Sequence, residues 1–279
     1  MKNFFIRTLT GIAIVIVQVL CTYLSPFSLA GLFLLLTALT VNEFLGILSL
    51  KSKVDVSHPL IIAGSCYLFF AFWLNSLTDA ALLDLFVPYL LFLIFCYIKE
   101  IYNHDSNPIA NLGAIMLSQM YIALPLSLVN ILAFHKFEIF SQSVDYYVIP
   151  LAMYIFLWLN DTGAYLSGSL LGKHKLLPRI SPKKSWEGSI GGALLATASA
   201  IAASHFFPIL NVWQWIGMAL VVVVAGTFGD LTESMIKRSL DIKDSGRMLP
   251  GHGGILDRLD SMLFAIPALV VYLHILSIK

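Results

Sequence analysis

The chain has 279 residues, of which 58% are hydrophobic and only 12% are charged. A soluble domain carries about 25% charged residues, so this composition excludes a water-soluble enzyme, a secreted disulfide scaffold and a disordered chain. The formal net charge of +1 gives no signature of polyanion binding, and we expect no nucleic-acid partner.

Apolar runs recur along the whole chain, and each is long enough to cross a bilayer as a helix of about 20 residues. In chain order they are 4–24, 27–50, 59–77, 80–98, 109–133, 146–171, 189–207, 212–236 and 256–278. The pattern predicts an all-α polytopic membrane protein with about nine transmembrane helices. Residues 1–145 would form an N-terminal region of about five spans. Residues 146–279 would form a C-terminal catalytic region of about four spans with two basic loops.

The distribution of basic residues predicts the orientation in the membrane. With nine spans, the loops after the even-numbered spans and the C-terminus together carry 14 of the 17 Lys and Arg residues. The positive-inside rule puts this side in the cytoplasm. The two most polar loops, 172–188 and 237–255, then share the cytoplasmic face. We expect an integral protein of a bacterial inner membrane whose polar active site lies on the cytoplasmic side of the C-terminal helices.

Acidic residues inside the apolar spans are the strongest functional signal, because charges in a bilayer are costly. Asp161 interrupts the sixth span. Asp230 and Glu233 lie three residues apart in the eighth span, which places them on one helix face. Asp257 and Asp260 repeat this spacing at the start of the ninth span. We expect functional roles for Asp161, Asp230 and Asp257 in particular.

Other polar or small residues in the spans have ordinary structural explanations. Glu43, in the second span, is interpreted as a buried hydrogen-bonding group. Gly188, Gly191 and Gly192 are typical of close helix packing rather than of ligand contact.

A basic, glycine-rich loop joins the two acidic helix ends, and a second basic loop precedes it. Carboxylates with open water positions suit Mg²⁺, whereas Lys, Arg and glycine amides suit phosphate oxygens. The combination predicts a metal–polyphosphate site at the cytoplasmic membrane surface. The phosphate-binding candidates are Lys183, Lys184, Ser185, Lys237, Arg238, Lys243, Arg247, His252, Gly253 and Gly254.

The C-terminal half carries motifs that resemble those of one enzyme family. Three segments together resemble the signature of phosphatidate cytidylyltransferases, also called CDP-diacylglycerol synthases. They are Ser-Met-Ile-Lys-Arg at 234–238, Lys243-Asp244, and His-Gly-Gly-Ile-Leu-Asp-Arg-Leu-Asp at 252–260. Residues 160–165, 181–188 and 229–234 are similar to the same family. The resemblance covers residues 155–265, whereas the N-terminal half shares only its apolar spans.

This resemblance implies that CTP and phosphatidic acid react to give CDP-diacylglycerol and pyrophosphate, with Mg²⁺ required and room for a second cation. The phosphatidate oxygen would be the nucleophile, so no nucleophilic side chain is needed. The implied catalytic residues are Asp230, Asp257, Lys237, Arg238 and Lys243. The implied metal ligands are Asp230 and Asp257, and Asp161 would support the metal. Glu233 and Asp260 would surround these ligands or bind a second cation. The implied substrate contacts are Asn160, Asp161, Lys183, Lys184, Ser185, Ser234, Arg247, His252, Gly253, Gly254 and Arg258.

The sequence is also compatible with two other functions. A CTP-dependent polyprenol or phytol kinase would use similar groups, but it would need a base for the hydroxyl proton of its lipid alcohol. A secondary transporter would use intramembrane carboxylates along a substrate path, although such proteins often contain inverted repeats, and none is visible here. The expected partners are CTP, phosphatidic acid and membrane lipid, and small-residue helix faces permit a homodimer.

Overall fold

The structure, a computed structural model, describes residues 2–78, 82–103, 107–140, 142–246, 248–249 and 253–278. Two of the predicted site residues, Arg247 and His252, lie outside the described residues. The chain divides into two compact units. The first contains Met1–Ile131 and Leu240–Leu259, and the second contains Leu132–Ser239 and Asp260–Lys279. The predicted boundary after residue 145 stays a prediction.

The first unit consists mainly of long apolar helices. They are α1 (Lys2–Leu24), α2 (Pro26–Ser52), α3 (His58–Leu77), α4 (Leu82–Ile101) and α5 (Pro108–Leu117), followed by a π-helical segment (Ser118–Ala123), α6 (Leu124–Ser127) and α7 (Val129–Phe134), which runs into the second unit. Ser25 is the N-cap of α2, since its side chain accepts a hydrogen bond from the Ser28 amide at 3.0 Å. Pro26 occupies the first helical position.

Several buried polar residues of this unit form hydrogen bonds with one another. The Gln119 amide in the π-helical segment donates to Ser65 Oγ of α3 at 2.7 Å, and the Tyr89 hydroxyl of α4 donates to Gln119 Oε1 at 3.1 Å. A π turn precedes Pro125, which has no N–H with which to continue a regular α-helical ladder. The fifth predicted span is therefore helical along its length but not a single regular α-helix.

The second unit places a short β-hairpin between two long helices. Its elements are α8 (Val148–Leu171), β1 (Lys175–Leu177), β2 (Ser181–Ser185), α9 (Trp186–Phe206), α10 (Val212–Ser239) and most of α11 (Leu256–Ser277). The two strands are antiparallel, with Lys175 opposite Ser185 and Leu177 opposite Ser181. The polar loop predicted at 172–188 thus contains ordered strands.

Glycines let α8 and α9 approach each other closely. A Cβ on Gly188 would lie 3.0 Å from the Ala164 carbonyl oxygen, and one on Gly192 would lie 2.6 Å from the Asn160 carbonyl oxygen. A Cβ on Gly191 would collide with the Ser167 side chain. The predicted packing role of these three glycines is confirmed.

The membrane class follows from the length and composition of these helices. Among the described residues, six helical stretches are long and apolar enough to cross a bilayer: Pro26–Ser52, His58–Leu77, Pro108–Phe134, Trp186–Phe206, Val212–Ser239 and Leu256–Ser277. The chain is an integral membrane protein with a predominantly α-helical fold. The predicted number of nine spans is not confirmed, although helices also occupy the other three predicted positions. One of these, α8, is a continuous helix that contains the polar residues Asn160 and Asp161.

Candidate active site

Three carboxylates of the second unit converge between α10 and α11. One oxygen each from Asp230, Glu233 and Asp260 lies within 4.8 Å of the others. Asp230 and Glu233 share a face of α10, as their spacing predicts. A Cβ on Gly229 would collide with the Asp260 carbonyl oxygen and lie 3.2 Å from Ser261 Cα. Glycine at position 229 therefore allows α11 to come close enough to bring Asp260 to the other two carboxylates.

Two lysines lie against this carboxylate group. Lys184 of β2 forms an ion pair with Asp230 at 2.5 Å, and Lys237 pairs with Glu233 one helical turn away, also at 2.5 Å. The Ser234 hydroxyl donates to Asp230 Oδ1 at 3.3 Å. The three carboxylates offer oxygen donors that favour a cation, whereas the lysines favour the phosphate oxygens of a ligand.

A cavity of about 350 Å³ opens beside the carboxylate group in the second unit. Five of the predicted substrate residues line it: Asn160, Asp161, Lys183, Lys184 and Ser185. Asn160 is 7% exposed, and its Oδ1 accepts no hydrogen bond from any of the described residues. Buried amide oxygens are normally bonded, so this acceptor is available to a bound ligand or water in the cavity.

The hairpin that carries the two lysines is anchored at its base. Ser185 caps α9, and its side chain accepts from the Gly188 amide at 3.1 Å. His174 Nδ1 lies 2.6 Å from Glu187 Oε1, in the first turn of α9. These contacts hold both ends of the hairpin next to α9, so Lys183 and Lys184 project from a supported strand rather than from a mobile loop.

In the first unit, Asp257 organises the loop that precedes α11. Its carboxylate accepts hydrogen bonds from the Gly254 amide at 2.8 Å and from the Ser245 amide at 3.0 Å. Gly253 has a φ of +86°, a conformation that glycine adopts without strain. The Leu249 amide donates to the Gly253 carbonyl at 3.0 Å. The glycines of the predicted phosphate-binding run therefore shape this turn.

Glu43 of α2 meets the same loop. Its carboxylate accepts hydrogen bonds from Ser245 Oγ at 2.5 Å, from the Ile255 amide at 3.0 Å and from the Leu256 amide at 3.1 Å. The interpretation of Glu43 as a hydrogen-bonding group is confirmed. Its partners could not be found from the sequence, since about 200 residues separate them from it. The only signal in the sequence was a carboxylate inside an apolar span.

The described site residues fall into two groups, one in each unit. Those in the second unit are Asn160, Asp161, Lys183, Lys184, Ser185, Asp230, Glu233, Ser234, Lys237, Arg238 and Asp260, of which Arg238 is exposed on α10. Those in the first unit are Lys243, Gly253, Gly254, Asp257 and Arg258, with Lys243 and Arg258 exposed. Over the residues described, the group of carboxylates that could hold a metal is Asp230, Glu233 and Asp260. Metal binding by Asp257 and Asp161 stays a prediction.

Comparison with known proteins gives a consistent result. A model of the cytidylyltransferase family matches residues 5–276. A phosphatidate cytidylyltransferase of Staphylococcus aureus (strain COL) is 46% identical over 138 residues, which cover 49% of this chain and 52% of that protein. The enzyme of the same name from Staphylococcus haemolyticus (strain JCSC1435) is 49% identical over 124 residues, 43% of this chain and 48% of the relative. The chain thus spans about half the length of the curated relatives it matches.

Proposed function

Because the chain belongs to the cytidylyltransferase family, we propose that it is a phosphatidate cytidylyltransferase, which converts CTP and phosphatidic acid to CDP-diacylglycerol and pyrophosphate. The observation that carries this proposal is the ion pair between Lys184 and Asp230, beside a cavity lined by Lys183, Asn160 and Asp161. It joins the basic hairpin to the carboxylate group, which is what a metal-bound polyphosphate requires. The apolar body supplies the surroundings for a lipid substrate.

The carboxylate group fits Mg²⁺ by its chemistry. Asp230, Glu233 and Asp260 offer hard oxygen donors within 4.8 Å of one another, and Mg²⁺ binds a few carboxylates while keeping several waters. These three residues would hold the ion, with Asp161 and Asp257 as further candidate ligands and room for a second cation. A bound Mg²⁺ would neutralise charge that develops on the phosphate oxygens.

The protein side chains would position the substrates and neutralise the charge on their phosphates rather than react with them. An oxygen of the phosphatidate phosphate forms a bond to the α-phosphorus of CTP, the bond to the β-phosphate breaks, and pyrophosphate leaves. A phosphomonoester has a second pKa of about 6, so this oxygen is already anionic at neutral pH and needs no general base. Lys183 and Lys184 would hold the triphosphate, and Lys237 would balance charge near the leaving group. Ser185 and Ser234 would orient these groups.

Further residues, in the first unit and in the family signature, would also take part in substrate binding and catalysis. Lys243, Arg247, His252, Gly253, Gly254 and Arg258 would bind substrate phosphates as the family signature implies, together with Arg238. Asp257 would serve the reaction either as a metal ligand or by shaping the Gly253–Gly254 turn.

We also propose nine spans, with α1, α4 and α8 crossing the membrane beside the six apolar stretches. The basic loops would then face the cytoplasm of a bacterial cell and the helices would lie in its inner membrane, as the bias of Lys and Arg indicates. CTP is a cytoplasmic nucleotide, so this orientation gives the site access to its substrate.

The test is a mixed-micelle assay with the purified full chain, phosphatidic acid, Mg²⁺ and CTP labelled at the α-phosphate. We expect label in the organic phase only when phosphatidic acid and Mg²⁺ are both present, and we expect chelation to abolish it. Label from γ-labelled CTP in a lipid alcohol would instead identify a kinase. Transfer from neither position would overturn the proposed chemistry.

A further inference from the structure

Glu43 lies far from the family signature in sequence but contacts it directly in the first unit. Its two carboxylate oxygens accept three hydrogen bonds, from Ser245 Oγ and from the backbone amides of Ile255 and Leu256. Leu256 is the first residue of α11, and Ile255 precedes it. Glu43 therefore fills, from another helix, the role that a capping side chain performs at a helix N-terminus.

The position of Glu43 along α2 makes these bonds energetically important. Glu43 lies nine residues before the end of α2 at Ser52, which is about 14 Å along a helix axis. A carboxylate in an apolar span is costly unless hydrogen-bond donors surround it, and irregular backbone in a membrane protein needs internal partners. Ser245, Ile255 and Leu256 supply donors to the Glu43 carboxylate, so the donors and the acceptors satisfy each other. The positive end of the α11 dipole adds to this attraction.

Two glycines of the loop leave room for the Glu43 carboxylate. A Cβ on Gly246 would lie 2.5 Å from Glu43 Oε2, and a Cβ on Gly254 would lie 2.5 Å from Glu43 Cδ. Any side chain at either position would push the carboxylate away from the amides that it binds. The absence of a side chain at Gly246 and at Gly254 therefore makes space for the Glu43 carboxylate on both flanks of the loop.

The contact leads directly to Asp257. Ser245 donates its hydroxyl to Glu43 and its amide to Asp257, while the Gly254 amide also donates to Asp257. The two carboxylates therefore share Ser245 as a partner, and any displacement of Ser245 would alter the hydrogen bonds of both.

We propose that Glu43 is a positioning residue for the reaction, which holds the 245–256 loop and the start of α11 so that Asp257 and the Gly253–Gly254 turn keep their geometry. This inference rests on the proposed function. Glu43 would act through the Ser245 hydroxyl and the Ile255 and Leu256 amides rather than by touching a reacting atom.

The test compares the full-length Glu43→Gln variant with wild type in detergent micelles. Glutamine keeps the size of the side chain but replaces one acceptor oxygen with an amide group, which cannot accept the donors that face it. We expect faster hydrogen exchange at the Ile255 and Leu256 amides. We also expect kcat to fall by about tenfold or more, because small misplacements near reacting groups cost up to about a hundredfold. The KM for CTP should rise by a smaller factor than kcat falls, since Lys183 and Lys184 are untouched although the Gly253–Gly254 turn is displaced.

Glu100→Gln is the matched control. Glu100 is a buried carboxylate of the first unit that accepts a hydrogen bond from the Asn111 side chain at 2.9 Å. We expect the hydrogen exchange of residues 245–257 and the kcat of the Glu100→Gln variant to match wild type. If Glu43→Gln does not yield folded protein, Ser245→Ala removes a single donor and should raise loop exchange and lower kcat by about threefold.

Two results would overturn the inference. One is wild-type hydrogen exchange at residues 245–257 in both variants. The other is faster exchange with an unchanged kcat per folded molecule, which would make Glu43 a structural residue only. If the wild-type protein transfers no α-label, the proposed function fails separately, and the exchange measurement still decides whether Glu43 holds the loop.

Discussion

Lys184 of the β-hairpin lies 2.5 Å from Asp230 of α10, with the two side chains 27% and 31% exposed. The pair joins two segments 46 residues apart, both of which carry family motifs. A charge pair this accessible is worth little for stability, because water screens it. Under the proposed function, the ammonium group would move from the carboxylate to a substrate phosphate when a cation binds the carboxylate.

Replacement of Lys184 by Gln should therefore affect turnover more than folding. A hydrogen bond to a charged group contributes about 1.5–3 kcal/mol, so we expect CDP-diacylglycerol formation to fall by about 10- to 100-fold. The α-label assay measures this loss, and the melting temperature of the purified protein should stay nearly unchanged. Lys173→Gln, at an exposed lysine just after α8, is the matched control and should retain wild-type activity. Equal activity of the two variants would remove Lys184 from the site.

Asp230→Asn and Asp260→Asn should each lower turnover by about a hundredfold or more, because each removes a negative oxygen from the group that would hold Mg²⁺. The residual activity should need a higher Mg²⁺ concentration, which a titration of activity against Mg²⁺ would measure. Asp84→Asn, at an exposed aspartate of α4, should leave both quantities unchanged. An unaltered Mg²⁺ requirement in both site variants would rule out a metal at these carboxylates.

Asp257→Asn should also abolish turnover without unfolding the protein. Asparagine keeps one acceptor but loses the second carboxylate oxygen, whereas Asp257 serves the Ser245 and Gly254 amides together. Activity and the Mg²⁺ titration should be measured side by side. A raised Mg²⁺ requirement would assign Asp257 to the metal, and a lower kcat at an unchanged requirement would assign it to the turn. Wild-type turnover would contradict both roles.

Gly192→Ala should destabilise the second unit. The added methyl group would lie 2.6 Å from the Asn160 carbonyl oxygen, so α8 and α9 must separate, which costs about 1–3 kcal/mol. A thermal unfolding midpoint several degrees below wild type in the same detergent is the expected result. Gly31→Ala, where the new methyl group meets nothing within 4 Å, is the control and should leave the midpoint equal or higher. Equal midpoints for the two variants would show that the α8–α9 contact tolerates a Cβ.

Much of the membrane architecture could be predicted from the sequence. The helices of the structure lie at the predicted apolar runs because hydropathy and helix length are local properties of the chain. Short-range spacing likewise placed Asp230 and Glu233 on one face of α10. The ordered strands at Lys175–Leu177 and Ser181–Ser185 were missed, since three to five residues carry too little pattern for a prediction.

The composition and motifs by themselves determined that this is an integral membrane protein of the cytidylyltransferase family with polar residues concentrated in its C-terminal half. Only the tertiary structure decided that Asp260 joins Asp230 and Glu233, that Lys184 pairs with Asp230, and that Glu43 holds the loop before α11. These contacts join residues 27 to 213 positions apart. Which distant segments meet depends on how closely they can approach, and a Cβ on Gly229 or on Gly254 would collide with Asp260 or with Glu43. No periodicity along the chain encodes such contacts, because they arise from steric fit between surfaces rather than from spacing within one helix.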